Sequence, residues 1–363
     1  MAAGKAKGLW IKKEPFGTTG GNEDVDRYSF GNGRGFEVQM ITFGATVQKI
    51  WAPDSRGRRA DVVLGFKTLE EYEVVPGRPY FGATIGRYGN RIKDGTFTLD
   101  GTTYHLPINN PPNSLHGGTT GFDQRVWNAT EVWTGNSVGV RFVYVSPDGE
   151  EGYPGTLTTV VTYTVNPRNE LTIHYSATTD APTVLNLTNH AYSNLRGEGT
   201  GEIYDHVVRI NADRYTPIDA TSIPLGPLDK VFGTPFDFTK PRTIGSGIHD
   251  AVEQILFAQG YDHNWVLNKG HGHGLTLCAR AFDPGSGRVL TCHTDQPGVQ
   301  FYTSNFLNGT LVGPSDKTYR QGDGFTLETQ HYPDSPNEPT YPSTVLRPGE
   351  VFDSTTKFGF SAV

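Results

Sequence analysis

Apolar and polar residues alternate with a period of two along much of the chain. The clearest such runs are FEVQMITFGATVQKIWAP (36–53), TTVVTYTV (158–165), ELTIHYSATT (170–179), HVVRINADRYT (206–216), GLTLCARAF (274–282), RVLTCHT (288–294) and VQFYTSNF (299–306). This period belongs to a strand with one face on a core. In GTFTLDGTTYHL (95–106), Asp100-Gly101 separates two alternating runs, which is the chemistry of a type I′ hairpin turn. Helical patterning is confined to KTLEEYEVV (67–75) and IHDAVEQILFAQ (248–259), each good for a few turns. There is no strand–helix alternation, no repeat of fixed period and no low-complexity linker. The pattern predicts an all-β protein, a large β-sandwich of two packed sheets with a few short helices, in one domain over residues 1–363 with about residues 1–8 a flexible N-terminus.

Composition supports this picture and narrows the partners. The 45 glycines and 24 prolines are spread along the 363 residues and punctuate short runs of Val, Thr, Tyr, Phe and Ile. A formal net charge of −7 and the lack of any Lys/Arg stripe argue against a nucleic-acid partner. The opening MAAGKAKGLWIKKEPFG lacks the apolar run of a signal peptide, and no segment has the apolar length to span a bilayer. A soluble, cytoplasmic protein with no membrane partner is expected. The two cysteines, Cys278 and Cys292, fit a reduced compartment at least as well as a single bridge. Asn128, Asn186 and Asn308 begin Asn-x-Thr matches, read here as chance.

Several stretches carry candidate chemistry. LNLTNHAYSNL (185–195), taken as a strand, points Leu185, Leu187 and Asn189 one way and Asn186, Thr188, His190 and Tyr192 the other. In GDGFTLETQHYPDSPN (322–337), Glu328 interrupts a strand-like run, where Glu is disfavoured unless it faces solvent or serves a function. YDHNWVL (261–267) places Asp262 and Asn264 on one side. FGATIGRYGNRIKDG (81–95) and NNPPNSLHGGTTGFDQRVW (109–127) read as loops, the first freeing the backbone around Arg87, Asn90 and Arg91, the second carrying His116 beside two glycines. His271 and His273, with Cys278, Cys292 and His293 nearby, raise a metal site; NKGHGHG reads instead as a solvated turn with no carboxylate to complete the set.

Taken together and in order, GRYGNRI, NSLHGG with GFDQRVW, NLTNHAYSNL, DHNW, PGVQFYTSN and GFTLETQHYPDSPN resemble the aldose 1-epimerase (galactose mutarotase) family, from about Phe43 to the closing LRPGEVFDSTTKFGF. The resemblance implies a mutarotase-type β-supersandwich that interconverts the α and β anomers of free aldohexoses such as galactose and glucose. It implies Glu328 as catalytic base and His190 as catalytic acid, with Asn90, Arg91, His116, Asp262 and Gln300 binding the sugar and no metal or other cofactor. One position departs from the family's pattern: Ser193 stands where Phe is common. General acid–base ring opening of this kind predicts a bell-shaped pH–rate profile, with the acid limb from Glu328 and the basic limb from His190. The rival readings are a non-catalytic carbohydrate-binding sandwich and a glycosidase using Glu328 with Asp262. The expected partner is a small-molecule sugar, and the chain is expected as a monomer or homodimer.

Overall fold

A computed structural model of the chain describes residues 8–74, 77–269 and 274–363. The expected N-terminal flexibility therefore falls almost wholly outside the described residues, as do His271 and His273. Three large antiparallel sheets organise the rest, where the alternation alone suggested two. The first is a meander of five strands in chain order, Trp10–Thr18, Asp24–Gly31, Glu37–Ile41, Thr46–Pro53 and Arg59–Asp61. The second has nine strands, in the order Asn128–Thr134, Ser137–Ser146, Leu157–Val165, Glu170–Thr179, Phe352–Ala362, Arg288–Thr294, Thr276–Phe282, Val207–Ile210 and Arg242–Thr243. The third has five, in the order Asp229–Lys230, Ala212–Thr216, Asp262–Leu267, Gly298–Tyr302 and Thr326–Gln330.

The nine-stranded sheet keeps the alternation read from its sequence, every second residue of Leu157–Val165 being buried. Phe36, just ahead of the Glu37–Ile41 strand of the first sheet, meets Phe360 of the second with ring centroids 5.1 Å apart. Thr329 of the third shares a buried hydroxyl hydrogen bond with Thr356 of the second. One apolar cluster draws on all three sheets through Val38, Val161 and Trp265. HVVRINADRYT hides the boundary between two of them: Val207–Ile210 belongs to the second sheet and Ala212–Thr216 to the third. A strand that changes sheets at one residue leaves its period intact, so periodicity does not reveal it.

The local expectations fare well. Thr96–Leu99 pairs with Thr102–His105 across Asp100 (φ 50°) and Gly101 (φ 82°), both left-handed as a type I′ turn requires. Leu69–Glu73 is helical behind a Thr68–Glu71 capping box. The second helix is shorter than its pattern, Glu253–Ala258, because Val252 is extended. Cys278 and Cys292 are free and buried. Among the described residues no helix is long and apolar enough to cross a membrane.

LNLTNHAYSNL is not a continuous strand. Only Thr188–Asn189 pairs, with Thr84–Ile85, while neighbouring backbone groups find partners elsewhere: Leu185 N–H on Thr344 O, Asn186 N–H on Arg87 O, Ser193 N–H on Phe325 O. The segment threads between elements, so neither face meets solvent; Asn186 is 0% exposed and no acceptor for a glycan in the folded chain. Ser193 lines a small cavity of about 20 Å³ together with Ala191, Leu327, Leu290 and Phe358. Arg87 is likewise buried instead of facing a ligand. Its guanidinium donates to the carbonyl oxygens of Ser146, Pro147 and Pro154 and to Ser146 Oγ. Arg87→Met strands those acceptors without water and is expected to destabilise the fold by roughly 2–4 kcal/mol, read as a lowered urea midpoint; an unchanged midpoint contradicts the assignment.

Candidate active site

Three adjacent strands of the third sheet, Asp262–Leu267, Gly298–Tyr302 and Thr326–Gln330, are buried on both faces, and this is what makes a functional glutamate possible on a strand. Thr326–Gln330 pairs with Gly298–Tyr302, which pairs with Asp262–Leu267. That register sets Asn264, Gln300 and Glu328 in one cross-strand row and Asp262, Tyr302 and Thr326 in the next. The opposite face sends Trp265, Phe301 and Leu327 into the core. The polar face meets a cavity of about 870 Å³ lined by Glu328, His190, Asn90, Arg91, His116 and Asp262, among others.

At its base, Nε2 of His190 lies 3.6 Å from Oε1 of Glu328, slightly too long for a hydrogen bond. The two side chains are 4% and 2% exposed. Thr326 Oγ1 donates to Glu328 Oε1 at 2.9 Å. Burial pushes Glu328 up to about 8, with the Thr326 hydrogen bond opposing and the Asp262 charge reinforcing that rise. Burial holds His190 down to about 3. Both groups thus favour their neutral forms.

His116 is set by a reciprocal contact with Asn90. Its Nδ1 accepts the Asn90 backbone N–H at 3.1 Å, and the His116 backbone N–H donates to Asn90 O at 3.0 Å. An imidazole whose Nδ1 accepts carries its proton on Nε2, so His116 offers the cavity a neutral donor. Burial, then the neighbouring His190, Arg91 and Arg78, keep it well below its usual range. The donor atoms of His116, His190 and Glu328 lie within 4.8 Å of one another, close enough to suggest a metal. The Asn90 N–H argues otherwise, since ligation through Nε2 needs a proton on Nδ1 and an acceptor facing it. Gly117 makes the turn after His116: at φ 88° a Cβ there would stand 1.9 Å from Gly86 O.

Arg91 Nε donates to Asn110 Oδ1 at 3.0 Å, and its Nη1 stands 3.8 Å from Asp262 Oδ2. Asp262 Oδ1 accepts Gln300 Nε2 at 2.7 Å; burial raises the Asp262 carboxyl while Arg91 and Gln300 oppose the rise. Gln300 does not itself line the cavity, so it reaches the site through Asp262. The sequence reading missed Tyr80, Asn109, Asn110, Tyr302 and Phe306 on the walls. Asn109 and Asn110 sit in the loop already marked by its Pro and Asn content, whereas nothing in its flanking residues singles out Tyr80.

A buried carboxyl and imidazole thus converge in a cavity walled by tyrosines, amides and an ion-paired carboxylate, on a large β-sandwich of the mutarotase type. Residues 26–359 match the aldose 1-epimerase family, and the chain belongs to that family. It is 49% identical over 324 residues to the galactose mutarotase of Homo sapiens, covering 89% of this chain and 91% of that one. It is 38% identical over 335 residues to the aldose 1-epimerase of Escherichia coli K12, covering 91% and 94%. The fold superposes on a galactose 1-epimerase from Lactobacillus acidophilus with a TM-score of 0.85, at 27% identity, covering 98% and 99% of the two chains.

Gly117→Ala is expected to displace His116 without touching its side chain and to lower kcat/KM for sugar turnover by about 100-fold. A variant that folds and turns over normally contradicts the role given to this turn.

Proposed function

We propose that the chain, acting as a single domain, is an aldose 1-epimerase for free aldohexoses such as galactose and glucose, with Glu328 and His190 as its proton-transfer pair. The observation that carries this reading is the 3.6 Å approach of His190 Nε2 to Glu328 Oε1 at the base of the cavity. Opening a hemiacetal ring removes the C1 hydroxyl proton and protonates O5. Both oxygens are bonded to C1, so the two groups must converge on one small volume, as these do. Glu328 takes the hydroxyl proton and His190 delivers one to O5; rotation about C1–C2 exposes the other aldehyde face, and closure exchanges the roles. General acid and base assistance of this kind contributes roughly 10²–10⁴-fold. His116, through its Nε2–H, and Arg91 stabilise oxygen charge as the C–O bond breaks. Asn90 and Asp262 hold hydroxyls distal to C1, with Gln300 fixing Asp262. Arg78 and Arg91, the cations on the cavity wall, are already paired with Asp123 and Asp262, which favours an uncharged sugar over a phosphorylated one.

The directions of the two shifts refine the pH dependence. A pair holding one proton serves both opening and closure, and a pair holding none or two serves neither. Glu328, pushed up to about 8, keeps that proton in the empty site, and His190, held to about 3, takes a second only in acid. The profile stays bell-shaped, but its basic limb follows loss of the Glu328 proton and its acid limb the protonation of His190, the reverse of the order expected from unperturbed groups. The working form is the tautomer with the proton moved to His190, which a bound sugar hydroxyl between the two groups favours.

A carbohydrate-binding sandwich without activity needs no such pair, which weighs against that rival. Polarimetry on freshly dissolved α-glucose and α-galactose is the test. Wild type is expected to accelerate mutarotation along a bell-shaped profile whose basic limb lies near Glu328's raised pKa. Glu328→Gln is expected to lose about 10³-fold in kcat, and near-normal turnover in that variant contradicts the assignment.

A further inference from the structure

One cation on the cavity wall is turned away from it. Arg78 Nε and Nη2 donate to the two carboxylate oxygens of Asp123 at 2.9 and 2.8 Å, and its Nη1 donates to the Thr119 carbonyl oxygen. Asp123 is 4% exposed and lies in the turn that follows the His116 loop. The fork joins two loops that are separate in sequence: residues 78–80, and 116–123 with His116 at its start.

The short segment behind Arg78 touches the site at three points. Pro79 O accepts the Tyr192 hydroxyl at 2.9 Å. The Tyr80 ring lies edge-on to His116, centroids 4.7 Å apart, and 5.9 Å from His190. The Arg78 guanidinium covers the Tyr80 ring at 5.1 Å. Arg78 (φ 32°) and Tyr80 (φ 58°) are both left-handed without being glycine, a conformation that persists only where surroundings enforce it. The Asp123 fork and the Tyr192 hydroxyl are the enforcing contacts.

We propose that Arg78 is a positioning residue: its two-pronged pair with Asp123 clamps Pro79 and Tyr80 over His116 and His190 and so fixes the orientation of both imidazoles. The inference rests on the epimerase reading for its kinetic consequence, but not for its structural one. Tyr80 is the lid that keeps water from His116, and Arg78 adds a positive charge that disfavours a second one there. The ionisable groups facing His116 are His190, Arg91, Arg78, Tyr80 and Glu328; those facing His190 are Glu328, His116, Tyr80, Tyr192 and Tyr302. Replacing Arg78 by Met removes its charge and Tyr80's shielding together, and both losses move His116 toward ordinary basicity.

The test compares wild type, Arg78→Met, Asp123→Asn and the double variant, all full-length. A ¹⁵N-detected NMR titration follows His116 and needs no turnover, so it stands even if no sugar is converted. In Arg78→Met, His116 is expected to titrate at least about one pH unit higher. Its kcat for mutarotation is expected to fall about tenfold with KM little changed. The double variant is expected to be no worse than either single one, since both break the same pair. Should Arg78→Met fail to fold, Arg78→Lys carries the same test, because it keeps the charge and loses the fork; His116 is then expected to titrate above wild type by less than about one pH unit, and a wild-type titration with unchanged kcat overturns the proposal. His116 titrating as in wild type with kcat unchanged, or the two single effects adding in the double variant, overturns the proposal.

Discussion

Holding a carboxyl and an imidazole 3.6 Å apart and out of water sets the terms for everything around them. Each group is pushed toward its neutral form by burial, so the pair keeps its one proton on Glu328 instead of separating it into an imidazolium and a carboxylate. Such a pair is poised for proton exchange only if nothing else neutralises it. Glu328 Oε1 accordingly takes one neutral hydrogen bond, from Thr326, and the cations stand off against Asp262 and Asp123. The energetic cost of that burial is met by the scaffold, whose core continues directly behind the site.

Position follows from sheet register. Because three adjacent strands of the third sheet are buried on both faces, their pleat sends Leu327, Phe301 and Trp265 to the core and Glu328, Asp262 and Tyr302 toward the cavity with no further device. The histidines are placed differently. His190 comes from a segment tied down by hydrogen bonds to four separate elements, and His116 from a turn with left-handed backbone that only Gly117 can close. Rigid strands thus hold the carboxyl groups, and loops locked by specific backbone contacts hold the imidazoles.

Much of this was legible in the sequence. Alternation revealed the strands, the Asp100-Gly101 hairpin and the all-β class, because a half-buried strand writes its geometry into every second residue. It misjudged the number of sheets, since a chain crossing from one sheet to the next at Asn211 keeps its period. It also took LNLTNHAYSNL for a regular strand, because polar residues satisfied by backbone partners deep inside keep the same two-residue alternation as a paired strand. Glu328 stood out as a strand residue of the wrong type, and the ordered motifs marked His190, His116, Asn90, Arg91 and Asp262, all of which line one cavity. Tyr80 and the Arg78–Asp123 fork were invisible, for they depend on left-handed backbone and on a contact between residues 45 apart in sequence.

By these shifts the Glu328–His190 pair carries one proton across neutral pH, resting on Glu328 when no sugar is bound. Residue-assigned ¹⁵N and ¹³C NMR of His190 and Glu328 in the sugar-free protein, followed across pH, tests it most directly. A neutral imidazole and a protonated carboxyl are expected at pH 7, with the carboxyl ionising near its raised pKa of about 8. An imidazolium beside an ionised carboxylate at that pH would contradict it.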